Sequence, residues 1–345
     1  MGDRWHTPVG KLAAKSGKDV FVEKPCALTV DECLSFSQVV RDNRRISQVG
    51  LQQRSDAWFQ FACEIVHEGR LGKISHVYTH AGGNSYEIEL PAEPVPQTLD
   101  WERWLGPAPY RSWNHRFHHL GWPKNVVPWS FCRDFGNGGI ADGCVHDLDI
   151  VNWGLNMEYL PGPDPTANHI CVQGQMRPKP LFKEPLEFIP AGLSKDYRCN
   201  TWKYPGGILV QMLNGRIDER VDYLPPGLKG EVLPSFGAVF VGDRGWVSVG
   251  RRGYIRASSI DLIADCPRRR SDNHMHNFID CVRTRHETNC PVERGCEATL
   301  CSTIGSMSMW LKRPLKWDLN RQEFIDDPEA NRLRSRTPRG NWMLL

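Results

Sequence analysis

The strongest constraint on this chain is a strand–helix–strand–helix alternation packed into its first seventy residues. Val20, Phe21 and Val22 form a short β-branched and aromatic run of the kind that fills a buried strand. Thr29 or Asp31 can cap a helix running to about Asn43, with Leu34, Val39 and Val40 on its apolar face. Residues 46–49 form the next strand, and residues 57–67 an amphipathic helix closed by Gly69. Ahead of the first strand, residues 7–16 read as a helix that ends at Gly17. Strands separated by helices at this spacing run parallel, in a sheet covered on both faces. In such sheets ligands sit outside the carboxyl ends of the strands. Glu23-Lys24-Pro25 leaves the first strand at that end, and a cis Lys–Pro bond there would aim the lysine into a cleft.

From Ile74 the texture changes. Residues 74–80 begin strand-like, the proline-rich stretch 91–109 reads as loop, and 136–155 as a helix led by glycines. Strand-like runs at 208–212, 238–241 and 246–249, separated by turn residues, suit an antiparallel sheet. Residues 273–285 make a further helix, and the polar segment 318–345, with two prolines, reads as an arm over the surface. The expected boundaries are therefore 1–75 for a piece of α/β domain, 76–317 for a larger α+β domain, and 318–345 for the arm.

A net charge of +3 on 345 residues gives no reason to expect nucleic acid as a partner, and the basic runs at 268–270 and 332–339 read as solvated surface or tail. No apolar run reaches the length of about 18 residues needed to cross a membrane. The N-terminus lacks the apolar core of an export signal, so the chain as given reads as cytoplasmic, with export open if the true start lies upstream. Twelve cysteines without a single Cys-x-x-Cys pair read as buried thiols of a reducing compartment, and no metal site is expected. Thirteen tryptophans are compatible with a carbohydrate pocket, since aromatic faces stack on sugar rings, although core packing accounts for most of them.

Two groups of residues could carry chemistry. Gly136-Asn137-Gly138-Gly139-Ile140-Ala141 formally fits the dinucleotide pattern G-x-G-x-x-G/A, but no buried strand precedes it, so the match is read as accidental. Its glycines instead let a helix start approach a ligand or another backbone closely. In the helix they lead, Asp142, His146 and Asp149 fall on one face, and a carboxylate beside an imidazole raises its basicity and fixes its tautomer.

Taken in order, Trp5-His6-Thr7-Pro8, Val20 to Pro25, Val49-Gly50-Leu51-Gln52-Gln53-Arg54 and Asp142 to Asp149 resemble the motifs of the Gfo/Idh/MocA oxidoreductase family. So do the segment 99–109 and the ending 327–333, which look like the family's bacterial branch. The resemblance implies a Rossmann domain followed by a C-terminal domain with a large open antiparallel sheet. It implies hydride transfer between NAD or NADP and a sugar, polyol or related alcohol. Lys24 and His146 would be catalytic, with Asp142 as companion acid. Trp5, His6 and Gln52 would lie at strand ends beside the nicotinamide, with Glu23 and Pro25 on the same side. Arg54, Asp149 and Trp129 would face substrate, and like subunits would associate through the C-terminal sheet. Substrate choice would fall to loops within 84–130 and 160–200.

One part of the family pattern is missing. No glycine-rich phosphate loop precedes these motifs, and residues 3–8 look like the end of a fourth strand. The expectation is an incomplete Rossmann-like sheet, and a chain that binds NAD(H) weakly or not at all as it stands. Enzymatic activity would then depend on an upstream segment. Two other readings stay open: a non-catalytic carbohydrate-binding or assembly protein, and a relative that uses NAD transiently to cleave glycosidic bonds.

Overall fold

Two sheets organise the chain, one small and parallel, the other large and mostly antiparallel. The structure, a computed structural model, describes residues 2–117, 129–161, 179, 181–193, 197–234, 236–266, 272–340 and 342. The basic run at 268–270 and much of the 160–200 stretch lie outside the described residues.

In the small sheet β1 (Val20–Val22) pairs in parallel with β2 (Ser47–Val49), Val20 opposite Ser47 and Val22 opposite Val49. Helix α2 (Val30–Asp42) connects them. It begins in a reciprocal cap, the Thr29 hydroxyl accepting from the Glu32 amide and the Glu32 carboxylate accepting from the Thr29 amide. Thr29→Ala is expected to cost about 1 kcal/mol in urea denaturation. Helix α3 (Ala57–His67) follows β2, with Asp56 as its cap.

The first helix differs from the sequence expectation. Helix α1 spans Asp3–Lys15, so the motif read as a strand end is helical and Pro8 lies inside the helix. Proline donates no bond to the carbonyl four residues back. That carbonyl, on Arg4, accepts instead from the Arg336 guanidinium at 3.4 Å.

Nine strands form the second sheet: β3 (Ile74–His80), β4 (Leu186–Ile189), β5 (Asn200–Tyr204), β6 (Ile208–Leu213), β7 (Ala238–Gly242), β8 (Gly245–Gly250), β9 (Tyr254–Ala257), β10 (Leu315–Asp318) and β11 (Glu323–Phe324). Their order is β11-β10-β4-β5-β6-β3-β7-β8-β9. All pairings are antiparallel except β3 with β6, which run parallel. A parallel pair needs a long crossover. The chain makes it between β3 and β4, through α4 (Trp101–Leu105), α5 (Gly139–Asp142) and α6 (Val145–Gly154). Helix α4 falls in the stretch expected to be loop, capped by Asp100.

Side chains on one sheet face, including Val77, Trp202, Val210 and Phe240, join a core that also contains Val22, Val49 and Phe59. Helix α8 (Val292–Leu311) couples the two sheets: it is buried over most of its length and runs beside α2, β2 and α6. Glycine at 295 permits this, because a Cβ there would come within 2.4 Å of the Val49 side chain. On the opposite face Tyr78, Leu213, Val239 and Trp246 are covered by Ile217, Val221, Leu228 and Leu233 of the chain itself.

The last residues do more than drape the surface. They supply β11 and α9 (Pro328–Arg332), and Arg334 and Arg336 pair with Asp31 and Glu32 at the start of α2. The described cysteines are free thiols, all buried except the half-exposed Cys266. Among the described residues no helix is long and apolar enough to cross a membrane.

Candidate active site

At the carboxyl end of β1 the chain turns through Glu23, Lys24 and Pro25, and the Lys24–Pro25 bond is cis. Lys24 reaches α5, its Nζ donating to Asp142 Oδ1 at 2.5 Å and to the Asp142 carbonyl at 2.6 Å. A third group of this cluster, Asp3 in the first turn of α1, is buried. Burial, and then the Asp142 charge, raise its pKa to about 8. At that value Asp3 carries a proton at neutral pH, while Asp142 holds the Lys24 ammonium.

The expected single helix bearing Asp142, His146 and Asp149 is broken. Helix α5 ends at Asp142 and α6 begins at Val145, with Gly143 and Cys144 between them. Asp142 therefore faces Lys24 rather than His146. Asp149 also turns elsewhere: it receives Arg54 in a bidentate pair, with Nε to Oδ1 at 2.8 Å and Nε to Oδ2 at 3.0 Å, and Nη2 2.8 Å from Oδ1. Both side chains are at most 5% exposed, and the pair ties the segment after β2 to α6 inside the fold.

His146 is 5% exposed and meets Phe236 edge to face, with ring centroids 5.6 Å apart. Its Nδ1 is buried without a hydrogen-bond partner among the described residues. Burial, then the charges of Arg251 and Lys24, push its pKa down to about 3. The expected rise from a neighbouring carboxylate is reversed: burial is the largest cause, and the charges acting on the imidazole are those of Arg251 and Lys24. The neighbouring Asp147 is buried, with Oδ2 3.9 Å from His80 Nδ1, and burial raises its carboxyl well above the usual range.

This shift has a stability consequence. An unfolded histidine binds a proton near pH 6.5, whereas His146 in the fold holds out to about pH 3. Between those values the unfolded chain binds more protons, so stability is fully present above pH 6.5 and falls on acidification. His146→Gln is expected to remove about 3 kcal/mol of the loss between neutral pH and about pH 4, read from urea midpoints.

A cavity of about 680 Å³ opens at the carboxyl ends of β1 and β2, and Glu23, Gln52, Gln53, Arg251, Arg252 and Asn273 are among its lining residues. Arg251 connects it to His146: the guanidinium lies 4.1 Å over the Phe236 ring and donates to Gln53 Oε1 at 3.2 Å. Arg251 and Arg252 follow Gly250, one residue beyond the predicted strand at 246–249, and no motif in the sequence marks them. Helix α7 (His274–Thr284), which starts beside the cavity, is held by His274, whose Nδ1 meets Ser55 Oγ at 2.6 Å and whose Nε2 meets the Val49 carbonyl at 2.9 Å. That histidine uses both ring nitrogens in holding the scaffold.

Other expected residues lie elsewhere. Trp5 and His6 are on α1, not at strand ends; Trp5 packs on Gly106 and on the edge of Trp342, and His6 Nδ1 meets the Pro25 carbonyl at 2.7 Å. Trp129 lines a separate cavity with Arg4 and Trp104.

The residues present fit one end of a dinucleotide. Glu23 and Gln52, exposed at the strand ends, offer a carboxylate and an amide to ribose hydroxyls and a carboxamide. The glycine run at 136–141 gives no phosphate cradle. A Cβ on Gly138 would lie 2.5 Å from the Asn84 carbonyl carbon, and one on Gly82 2.4 Å from the Gly139 carbonyl carbon. These glycines bring two backbones together, one of the two roles expected for them.

A family model described as the oxidoreductase family, C-terminal alpha/beta domain, of the Gfo/Idh/MocA type matches residues 76–164 and 228–344. The NAD(+)-dependent scyllo-inositol 2-dehydrogenase of Bacillus subtilis is 38% identical over 299 residues, which cover 85% of this chain and 68% of that enzyme. An uncharacterised oxidoreductase of Synechocystis is 22% identical over 56% of the chain, and the match spans less than half, 44%, of the relative's length. In fold, the chain resembles the aldose-aldose oxidoreductase of Caulobacter crescentus, solved with glycerol. The TM-score is 0.52 at 16% identity, with 91% of this chain and 77% of that one covered.

Proposed function

The chain belongs to the Gfo/Idh/MocA oxidoreductase family, and on that premise we propose that it forms the substrate side of an NAD(P)-dependent dehydrogenase acting on a sugar or polyol. What supports the reading is the Lys24–Asp142 pair at the carboxyl end of β1, with the Lys24 charge acting on the buried His146.

Oxidising a secondary alcohol removes hydride from carbon and a proton from oxygen. Bound NAD(P) supplies the hydride acceptor, and Glu23 and Gln52 are the residues present to hold its nicotinamide end. His146, neutral at physiological pH, takes the hydroxyl proton. Its weak basicity makes the resulting imidazolium a strong acid, which favours returning the proton in the direction of ketone reduction. Lys24 stabilises the negative charge developing on oxygen. Asp142 fixes the ammonium through its side chain and carbonyl. Asp3, protonated beside them, limits the negative charge that would otherwise hold Lys24 away from substrate.

The test is reduction of NAD+ or NADP+ by the protein isolated from its own cells, offered scyllo-inositol and a panel of aldoses. Substrate-dependent NAD(P)H formation is expected. Sugar release without accumulated NAD(P)H would replace this reading with glycosidic cleavage, and sugar binding without cofactor dependence would replace it with a carbohydrate-binding role.

A further inference from the structure

Gln53, Phe236, Arg251 and His146 come from four separate stretches of chain and meet on one side of the candidate site. Gln53, in the short turn Gln52–Ser55 after β2, is 3% exposed. Its Nε2 donates to the Phe236 carbonyl at 3.0 Å, and its Oε1 accepts from Arg251 Nη2 at 3.2 Å. Only one orientation of the amide serves both partners, since a carbonyl needs its NH2 group and a guanidinium its oxygen. The Arg251 guanidinium lies 4.1 Å from the centre of the Phe236 ring, and that ring meets His146 edge to face at 5.6 Å.

Phe236 also holds an uncommon backbone conformation. Its φ is 49°, in the left-handed region that a bulky residue keeps only where its surroundings impose it. The next residue is Gly237, where a Cβ would overlap the Val249 carbonyl oxygen, so the chain presses directly on the end of β8, close to Arg251. Gln53 then takes the Phe236 carbonyl, and Arg251 covers a face of its ring. A Cβ on Gly143, at the break between α5 and α6, would already touch that ring at 3.8 Å. Backbone strain of this kind gathers at functional sites.

We propose that Gln53 is a positioning residue of the dehydrogenase site: it latches Phe236 and Arg251 together, holding the Phe236 ring over His146 so that water is kept from the imidazole. The inference rests on the reading of His146 as the proton acceptor. A dry imidazole stays neutral, and so able to take the alcohol proton, because burial disfavours its charged form. Burial is the largest cause of the low His146 pKa, ahead of the charges of Arg251 and Lys24. On the neighbouring elements Asp142 holds Lys24, Asp149 holds Arg54, and Asp147 faces His80 at 3.9 Å. His67 of α3 and Cys301 of α8 meet α6 farther along, at the Trp153 carbonyl and at Asn152.

Carbon-13 labelling of histidine Cε1 lets NMR follow the His146 titration without turnover, its signal identified by its loss in His146→Gln. In the parent protein the ring is expected to stay neutral down to about pH 5. Gln53→Leu and Gln53→Met keep the volume and lose both bonds, and Phe236→Ala removes the cover, while all three retain Arg251. Each should raise the midpoint of the His146 titration by about one pH unit or more, and the acid limb of kcat/KM should move with it. An unmoved midpoint in the folded Gln53 variants would overturn the proposal, as would a parent ring that already titrates near its ordinary pH of 6.5. Midpoints that move as expected, with no hydride transfer at any pH, would uphold the latch and overturn the proposed reaction instead.

Discussion

Asp149→Ala is expected to destabilise the protein by about 3–5 kcal/mol, because it strands a buried cation. Arg54 and Asp149 are closed to solvent and joined in a bidentate pair, with the Arg54 guanidinium 5.2 Å from the Trp153 ring centroid. Burial works against the Arg54 charge, but Asp149 more than restores it, so the guanidinium stays ionised. Removing the carboxylate leaves that charge no equivalent acceptor. The double variant Arg54→Met/Asp149→Leu removes both charges at similar volume and is expected to be far milder than the sum of the single substitutions. Urea denaturation of the four proteins measures the coupling; strict additivity would show that the pair does not act as a unit. The effect reaches the proposed site, since Gln52 and Gln53 directly precede Arg54 and Gln53 holds Arg251 against Phe236 and His146.

Lys24→Ala is expected to lower kcat by about 10²–10⁴-fold with a smaller change in KM, and His146→Ala to do the same. In the proposed mechanism the lysine acts on charge that develops as the reaction proceeds, so its loss would raise the barrier more than it weakens ground-state binding. Lys24→Arg is not expected to rescue activity. The planar guanidinium cannot reproduce a point charge held between Asp142 Oδ1 and the Asp142 carbonyl, at 2.5 and 2.6 Å. Unchanged kcat in either alanine variant would remove that residue from the mechanism.

The parts of the fold legible in the sequence were those with strong local signals. The α3 helix and β3 strand fall at 57–67 and 74–80 as expected, because each combines an unbroken periodicity with clear punctuation. Of the two caps the sequence offered, Thr29 and Asp31, the helix uses Thr29. Where the sequence misled, tertiary contacts decided. Residues 7–16 read as a helix after a strand end at 3–8, but α1 begins at Asp3, and a carbonyl freed by Pro8 is met by an arginine more than three hundred positions later.

In the candidate site, family motifs pointed to Lys24 and to Asp142 separately, but their pairing had no local signature, because 118 positions separate them. Helical spacing put Asp142, His146 and Asp149 on one face, yet it could not show the break at Gly143 and Cys144 or the claim of Arg54 on Asp149. The depressed pKa of His146 was equally hidden, since it depends on burial and on Arg251, which arrives from β8. Asp3 stayed unremarked because its surroundings consist of residues remote in the chain.

The most direct test of hydride transfer at this site follows the label itself. The protein isolated from its own cells would be given scyllo-inositol deuterated at carbon together with NAD+, and the recovered cofactor examined by mass spectrometry. The account predicts one deuterium transferred to the nicotinamide by the parent protein and none above background by the Lys24→Ala variant. Conversion of the polyol with no deuterium in the cofactor, or equal transfer by the variant, would contradict it.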